Sequence, residues 1–434
     1  MKKRVTAATV SNDEISVARN RSFNLLWGSQ ILSQIASNLL NFALIIRVFE
    51  LAAGTRFANI SVALLVLSFG LPALVLSAAA GVYVDHLNKK HVLLIINFAR
   101  ALLALLFLLV DTNLWLVLTV SFAFSSATQF FAPAESAAIP ALVGKRQLLR
   151  ANSLFVFTLY ASFIVGYSAS GPIISWFGSA GPYLATSVML LLAGLLTLGL
   201  PDLRAEQPAK LHWRRLWHYT QEELRRNWRA ISTSHHLGFP ITQLTLGQGV
   251  LSVIIAMAPA LALSLLGLPL SASSHYLIMP AGAGLVTGVI LAGRLTQLGK
   301  TKIIAISLPV AATMLLTIGL LGAHLADNPE RHTLAHATGL MIAALVYGLG
   351  LCNAVVSVTA QTMLQEHTEN AERGRVFGAL GLFMNLAATV PVFVVGALAD
   401  LTTPPAVIAG TGALLLGFGI AQFIYLWRQR LLQA

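Results

Sequence analysis

The amino-acid sequence predicts an all-α membrane protein that crosses the bilayer twelve times, as two pseudo-symmetric six-helix bundles with both termini in the cytoplasm. Hydrophobic residues make up 56% of the 434 residues and charged residues only 10%, whereas soluble domains carry about 25% charged residues. The mean hydropathy of +0.76 comes from apolar segments along nearly the whole chain, not from one apolar tail. This composition excludes a soluble enzyme, a disulfide scaffold and a disordered protein.

Twelve segments are long and apolar enough to cross a membrane, since a spanning helix needs about 20 mostly apolar residues. Gly-Pro, Asn-Pro and Pro-Pro pairs mark several of their ends, as is typical of helix boundaries. The predicted spans are 22–47, 58–84, 91–110, 113–133, 150–176, 181–201, 240–266, 274–298, 302–323, 337–363, 376–399 and 403–427.

The positions of the basic residues support this number of spans. With the N-terminus in the cytoplasm, 24 of the 28 Lys and Arg residues fall in the inner loops and tails. Arg47, Arg56 and Arg331 fall outside, and Arg100 lies within a span. Basic residues concentrate on the cytoplasmic side of membrane proteins, and a wrong number of spans would scramble the asymmetry. The net charge of +12 therefore follows from the topology, and we expect no nucleic-acid partner.

One long connection divides the chain into a first bundle (1–201), a linker (202–239) and a second bundle (240–434). In the linker, tryptophans recur at helical spacing with arginines between them. This pattern is typical of an amphipathic helix that lies on the inner leaflet, with its cations toward lipid phosphates. The alternative is a solvated helix packed on the cytoplasmic ends of the bundles.

The turn after span two resembles a known signature. The segment GVYVDHLNKKHVLL contains a glycine, an aspartate and a basic pair, here Gly81, Asp85, Lys89 and Lys90. This order resembles the loop signature of the major facilitator superfamily, whose fold is two six-helix bundles.

Three further segments are similar to the drug–proton antiporter branch of that superfamily, which contains macrolide, multidrug and siderophore exporters. They are 130–154, RGRVFG at 373–378, and the pair Gly171 and Pro172 in span five. The resemblance implies a secondary transporter that exports amphipathic, drug-like compounds across the bacterial cytoplasmic membrane by alternating access. It also implies protons as the candidate coupling ion, no cofactor, and a chain that works as a monomer.

The resemblance also suggests a conformational latch and leaves the proton carrier open. In the family, the aspartate equivalent to Asp85 joins the two bundles near the start of span eleven, so Arg373 and Arg375 are its candidate partners. Many relatives carry a glycine–aspartate pair midway along span one, where this chain has Ser37 and Asn38. The predicted spans place no carboxylate at mid-membrane, so the proton carrier would be Glu50, Asp85, Glu135, a histidine or a group of the substrate itself.

Span one carries the clearest row of polar side chains. Gln30, Gln34, Asn38 and Asn41 are spaced by four, four and three residues and therefore share one helical face. Amides facing lipid are costly, so we expect them to line a substrate cavity, with interhelical hydrogen bonding as the alternative. Further cavity candidates in the second bundle are Gln248, Asn353 and Asn385.

Arg100 lies about ten residues into span three, and a buried arginine requires a partner. Glu135 near the inner end of span four is the candidate, and the alternative is an arginine that reaches the headgroups. We therefore group Arg100 and Glu135 with the coupling residues.

Four other functions remain to be weighed against drug export. A lipid or lysophospholipid transporter of the same fold would suit an uncharged, amide-lined cavity. A membrane-embedded enzyme would need clustered ligands or a nucleophile with its base inside the spans, and no such motif is present. An ATP-driven pump is disfavoured because no nucleotide-binding domain is present, and a transport-dead sensor would have the same sequence features.

Overall fold

The computed structural model describes residues 19–144, 147–203, 235–295, 299–326, 335–368 and 373–428. Within them it contains twelve helices long and apolar enough to cross a membrane, as the sequence predicts. The helices are α1 Arg21–Ala52, α2 Ala58–Asp85, α3 Lys89–Val110, α4 Leu114–Leu142, α5 Leu148–Phe177, α6 Ala180–Leu198, α7 His235–Leu261, α8 Met279–Leu295, α9 Lys300–Ala326, α10 Ala335–His367, α11 Arg373–Leu401 and α12 Pro404–Arg428.

Asparagine caps and left-handed glycines set several helix ends. Asn20, Asn88 and Asn113 precede α1, α3 and α4, and each side chain accepts a hydrogen bond from a first-turn N–H, which is free in a helix. Gly178 after α5 and Gly267 after the continuation of α7 have φ of 70° and 60°, a conformation that glycine adopts without strain. These residues stop one span and turn the chain into the next.

Two of the predicted helix ends are wrong. The sequence predicts ends at residues 47 and 133, but α1 continues to Ala52 and α4 to Leu142. Helix α4 contains Pro133 and Pro140 in its interior, and proline is tolerated inside spanning helices because neighbouring groups satisfy the freed backbone. The extension places Glu135 inside the helix and buries it at 6% exposure.

The helices of each bundle pack mainly on one another. Helix α1 packs on α5 and α6, α2 on α4, and α3 on α4 and α6; in the second bundle, α9 packs on α12, α8 on α10, and α7 on α10 and α11. The main contacts between the bundles are α2 with α11, and α5 with α8 and the short turns Leu270–Ala272 and Ser274–Ile278 before it. The linker residues 204–234 lie outside the described residues, so the amphipathic helix stays a prediction.

Small residues allow the closest helix contacts. A methyl group added at Gly166 of α5 would lie 2.6 Å from Asn38 Cβ and 2.7 Å from the Ile35 carbonyl oxygen of α1. One added at Gly288 of α8 would lie 2.7 Å from Ala354 Cβ of α10. Since lipid is as apolar as leucine, such backbone approach is a main source of helix association in membranes.

Candidate functional site

A buried arginine lies at the centre of the first bundle. Arg100 is only 1% exposed, and it follows the start of α3 by eleven residues, or about 16 Å along the helix. One terminal nitrogen donates to Ser33 Oγ at 2.9 Å and the other donates to Ser37 Oγ, both on α1. Arg100 therefore does not extend to the headgroups but connects α3 to α1.

Aromatic rings and a carboxylate of α4 complete the surroundings of Arg100. Its guanidinium lies 5.0 Å from the ring centroid of Phe124 and 5.4 Å from that of Phe131, which is within cation–π range. Glu135 follows Phe131 by one turn and attracts Arg100 electrostatically. Glu135 Oε1 and Arg100 Nε have no hydrogen-bond partner in the structure.

More buried polar groups surround this pair. Asn97 of α3 donates to Ser29 Oγ at 3.4 Å, and Gln30 of α1 donates to the Phe155 carbonyl oxygen of α5 at 3.4 Å. Their oxygens, Asn97 Oδ1 and Gln30 Oε1, are buried without a partner. Unsatisfied groups are rare in a folded interior and need an explanation such as bound water, an ion or a functional role. We call Arg100, Glu135, Asn97 and Gln30 the polar cluster.

The other amides of α1 are half-buried rather than enclosed. Gln34, Asn38 and Asn41 are partly exposed, although Asn38 Cβ also contacts α5 at Gly166. Asn41 lies near the Tyr167 hydroxyl of α5. That Gln34, Asn38 and Asn41 line a substrate cavity stays a prediction.

The candidates in the second bundle divide into two kinds. Asn353 of α10 donates to the Gly247 carbonyl oxygen of α7 at 2.7 Å, so its amide joins two helices. Gln248 donates only to Ser252 Oγ of its own helix, at 3.3 Å. Both Gln248 and Asn385 are half-buried. Gln248 and Asn385 therefore fit a cavity wall better than Asn353 does.

The signature after α2 connects to α6. Lys90 Nζ donates to the Leu200 carbonyl oxygen at 2.7 Å, and Asn88 Oδ1 accepts from Leu203 N at 3.2 Å. The Lys89 N–H donates to the Leu203 carbonyl oxygen at 3.1 Å. A methyl group at Gly81 would meet nothing within 4 Å. The basic pair therefore fixes the inner end of the first bundle.

The predicted latch lies only partly within the described structure. Asp85 is the last residue of α2, and Arg373 and Arg375 begin α11. The side chains of all three lie outside the described part of the chain. The latch between them stays a prediction.

Gly171 lies where the two bundles meet at the outer face. Its N–H donates to Ser274 Oγ at 3.1 Å, and a methyl group there would overlap the Ser271 carbonyl oxygen. The following Pro172 lies inside α5. The motif glycine thus allows α5 to approach the turns before α8.

A second outer contact was missed by sequence reasoning. Asp400, one residue before the end of α11, accepts hydrogen bonds from the backbone of Asn59 and Ile60 at the start of α2. The predicted span ends at residue 399, one residue before Asp400. Its position beside the Thr-Thr-Pro-Pro turn was the only signal in the sequence.

The described residues contain no group of three or more His, Cys, Asp or Glu side chains that could hold a metal ion. The one cysteine, Cys352, is buried and free.

Comparison with known proteins assigns the architecture. The sequence model described as Major Facilitator Superfamily matches residues 26–390. The chain belongs to the major facilitator superfamily. It is therefore a multi-pass membrane transporter of small molecules and not an enzyme.

Similarity to individual members is partial. The chain is 33% identical over 132 residues to macrolide efflux protein A of Streptococcus pyogenes, which is 30% of this chain and 32% of that protein. It is 28% identical over 188 residues to the uncharacterized MFS-type transporter YkuC of Bacillus subtilis strain 168, 42% of each chain. The matches thus span between about a third and two fifths of these bacterial relatives.

Solved structures share the fold over nearly the whole chain. The D323A mutant of the nucleoside transporter NupG superposes with a TM-score of 0.70 at 16% identity, covering 92% of this chain and all of that one. A bacterial homologue of the human lysosomal transporter Spinster gives 0.67 at 11% identity, covering 95% of this chain and 98% of that one. At such identities the likeness concerns the fold alone.

Proposed function

We propose that this transporter exports amphipathic, drug-like organic compounds from the cytoplasm, by rocking of residues 1–201 against 240–434. We further propose that inward proton movement drives export and that Glu135 and Arg100 carry the coupling. The substrate would bind between the bundles, beside the half-buried amides of α1 and α7.

The observation that carries the proposal is the location of those amides. Helices α1 and α7 are pseudo-equivalent and contact each other across the boundary between the bundles. Gln34 and Asn38 on α1 and Gln248 on α7 are half-buried in helices that are otherwise apolar. A wall with few hydrogen-bonding groups and much apolar surface suits ligands that are themselves mostly apolar.

The polar cluster supports the coupling step. Glu135 is buried beside a buried cation, so gain or loss of its proton changes the charge of a site inside the bundle. Arg100 binds Ser37, the neighbour of Asn38 on α1. A change in the charge of the polar cluster would therefore alter the electrostatic environment of Asn38 and the neighbouring amides of α1.

The similarity to macrolide efflux protein A supports export of a large amphipathic compound. Because it covers 30% of this chain, it supports the substrate class rather than one substrate.

The test is flux in proteoliposomes with and without an imposed pH gradient. The probes are a macrolide, a cationic amphipathic dye and a fluorescent lysophospholipid. We expect macrolide or dye movement that the gradient accelerates, and loss of that acceleration in Glu135→Gln.

A matched control is Glu50→Gln, since Glu50 is a half-exposed acid that pairs with Arg47 at the outer surface, at 3.3 Å. This variant should keep the full response to the gradient. Lysophospholipid movement that ignores the gradient, with no movement of the other probes, would overturn the drug proposal in favour of a lipid transporter. Gradient-driven export that survives Glu135→Gln would overturn the assigned coupling site.

A further inference from the structure

A carboxylate joins the two bundles at the outer face. Asp400 Oδ1 accepts from the backbone N–H of Asn59 at 2.9 Å and from its side-chain Nδ2 at 2.8 Å. Asp400 Oδ2 accepts from Ile60 N at 2.8 Å. Helix α2 begins at Ala58, so both backbone donors belong to its first turn, where N–H groups have no partner within the helix. A negative charge is favoured at that position by the helix dipole.

Tight packing surrounds this contact. Gly396 lies one turn before Asp400, and a methyl group on it would lie 2.9 Å from the Asn59 carbonyl oxygen and 3.1 Å from Ala63 Cβ. Asn59 is only 6% exposed. The contact continues toward mid-membrane, where Thr389 of α11 lies against Gly70 of α2. The hydrogen bonds of Asp400 are partly buried between the helices that they join.

The hydrogen bonds described between the two bundles lie near the outer face. Four hydrogen bonds join described residues of the two bundles: three to Asp400 and one from Gly171 N to Ser274 Oγ. All four lie at outer helix ends. In contrast, methyl groups at Gly81 of α2 and Gly381 of α11, nearer the inner face, would meet nothing within 4 Å. Hydrogen bonds therefore hold the outer ends of the two bundles together in this structure.

We propose that Asp400 is an outer latch of the transport cycle. It holds α11 against the start of α2 while the outer face is closed, and it must leave the first turn of α2 before the pathway opens to the outside. Because α2 and α11 run antiparallel, the end of each helix lies beside the start of the other. Asp400 lies near the end of α11, beside the start of α2. Asp85 lies at the end of α2, on the side of the membrane where α11 starts.

The pair formed by α2 and α11 therefore carries one carboxylate at each end. Rocking would bring one carboxylate to the first turn of the opposite helix while it moves the other carboxylate away from its partner helix. This predicts opposite effects for the two acids. Loss of Asp400 favours the outward-open state, and loss of Asp85 favours the inward-open state.

The experiment measures distances between spin labels at the outer face of the full chain in lipid nanodiscs. Cys352→Ala removes the one native thiol. Labels are attached through Thr112→Cys in the α3–α4 turn and His275→Cys before α8, two exposed positions on different bundles. We expect mainly short distances in this background. Asp400→Asn, which removes the charge and one acceptor, should raise the ratio of long to short distances about tenfold, because hydrogen bonds to a charged group are the strong ones.

Asp111→Asn is the matched control, since it removes a charge at the same face. Asp111 contacts Arg47 at 3.5 Å within the first bundle, so its loss should leave the distances unchanged. If Asp400→Asn does not insert into membranes, Asn59→Ala removes only the side-chain donor and should give a smaller increase in long distances. The proposal is overturned if the variant that inserts, Asp400→Asn or Asn59→Ala, leaves the distance distribution unchanged. It is also overturned if Asp111→Asn increases the long distances as much as that variant does.

Discussion

Replacement of Arg100 by methionine should show how strongly the polar cluster stabilises the first bundle. Arg100→Met keeps most of the side-chain volume but removes the bonds to Ser33 and Ser37 and the contacts with two aromatic rings. It also leaves Glu135 buried without its cation. Leaving a buried polar group unsatisfied costs about 1–3 kcal/mol, and more when the group is charged, so we expect a loss of unfolding free energy of at least this size.

The double variant tests whether the loss comes from the stranded carboxylate. Arg100→Met combined with Glu135→Gln removes both charges, so it should be more stable than Arg100→Met alone by at least about 1 kcal/mol, within the coupling of roughly 0.5–3 kcal/mol found for contacting residues. The assay is denaturant unfolding of the purified protein in mixed micelles.

The control cycle uses Arg47→Met and Glu50→Gln, a pair 3.3 Å apart with side chains 23% and 39% exposed. Exposed pairs contribute about 0.2–1 kcal/mol, so coupling there should be smaller. The losses of unfolding free energy in Arg100→Met and Glu135→Gln could instead sum to the loss in the double variant, to within about 0.5 kcal/mol. Arg100 and Glu135 would then be independent, and the coupling proposal would lose its structural basis.

Three further predictions follow from individual contacts. Asn113→Ala removes the cap of α4, where Asn113 Oδ1 accepts from Trp115 N at 3.0 Å, and should lower the unfolding free energy by about 1 kcal/mol; an unchanged thermal midpoint would contradict this. Asn353→Ala should cost about 0.6 kcal/mol, the average for interhelical bonds in a membrane, and leave the substrate KM unchanged, so a raised KM would mean that Asn353 binds substrate. Gln34→Leu with Asn38→Leu should abolish substrate binding in a fluorescence titration without changing the thermal midpoint; retained affinity would make the amide row structural.

The fold was predictable because it depends on properties that single sequences carry. Composition, segment length and the side of the membrane on which basic residues fall can be read from short stretches of sequence. Because a spanning helix must be long and apolar, these properties are enough to place the spans. The end of α4 was not predictable, because Pro133 and Pro140 end helices in water but not within a helix bundle. This error placed Glu135 beyond the predicted end of span four, although the sequence still identified it as the candidate partner of Arg100.

The site was predicted only in outline. The burial of Arg100 and its relation to Glu135 follow from the cost of an isolated charge in a membrane. The hydrogen bonds of Arg100 to Ser33 and Ser37 could not be predicted in this way, because they depend on how α1 is rotated about its axis relative to α3. Asp400 shows the same limit, since its partners lie more than 300 residues away in the chain and become neighbours only through the antiparallel pairing of α2 and α11.

In the proposed rocking cycle, the depth of Arg100 would make transport sensitive to the membrane voltage. A guanidinium stays charged at physiological pH, so this cation moves with the first bundle whenever the bundle rocks. When Glu135 is ionised, the two charges cancel and the movement carries no net charge through the membrane field. When Glu135 is protonated, the cluster carries one positive charge, and a full crossing would be worth about 2.3 kcal/mol per 100 mV. Even a tenth of that displacement, about 0.2 kcal/mol by the same constant, would make the proposed cycle respond to an interior-negative potential when the cluster is protonated and not when it is ionised.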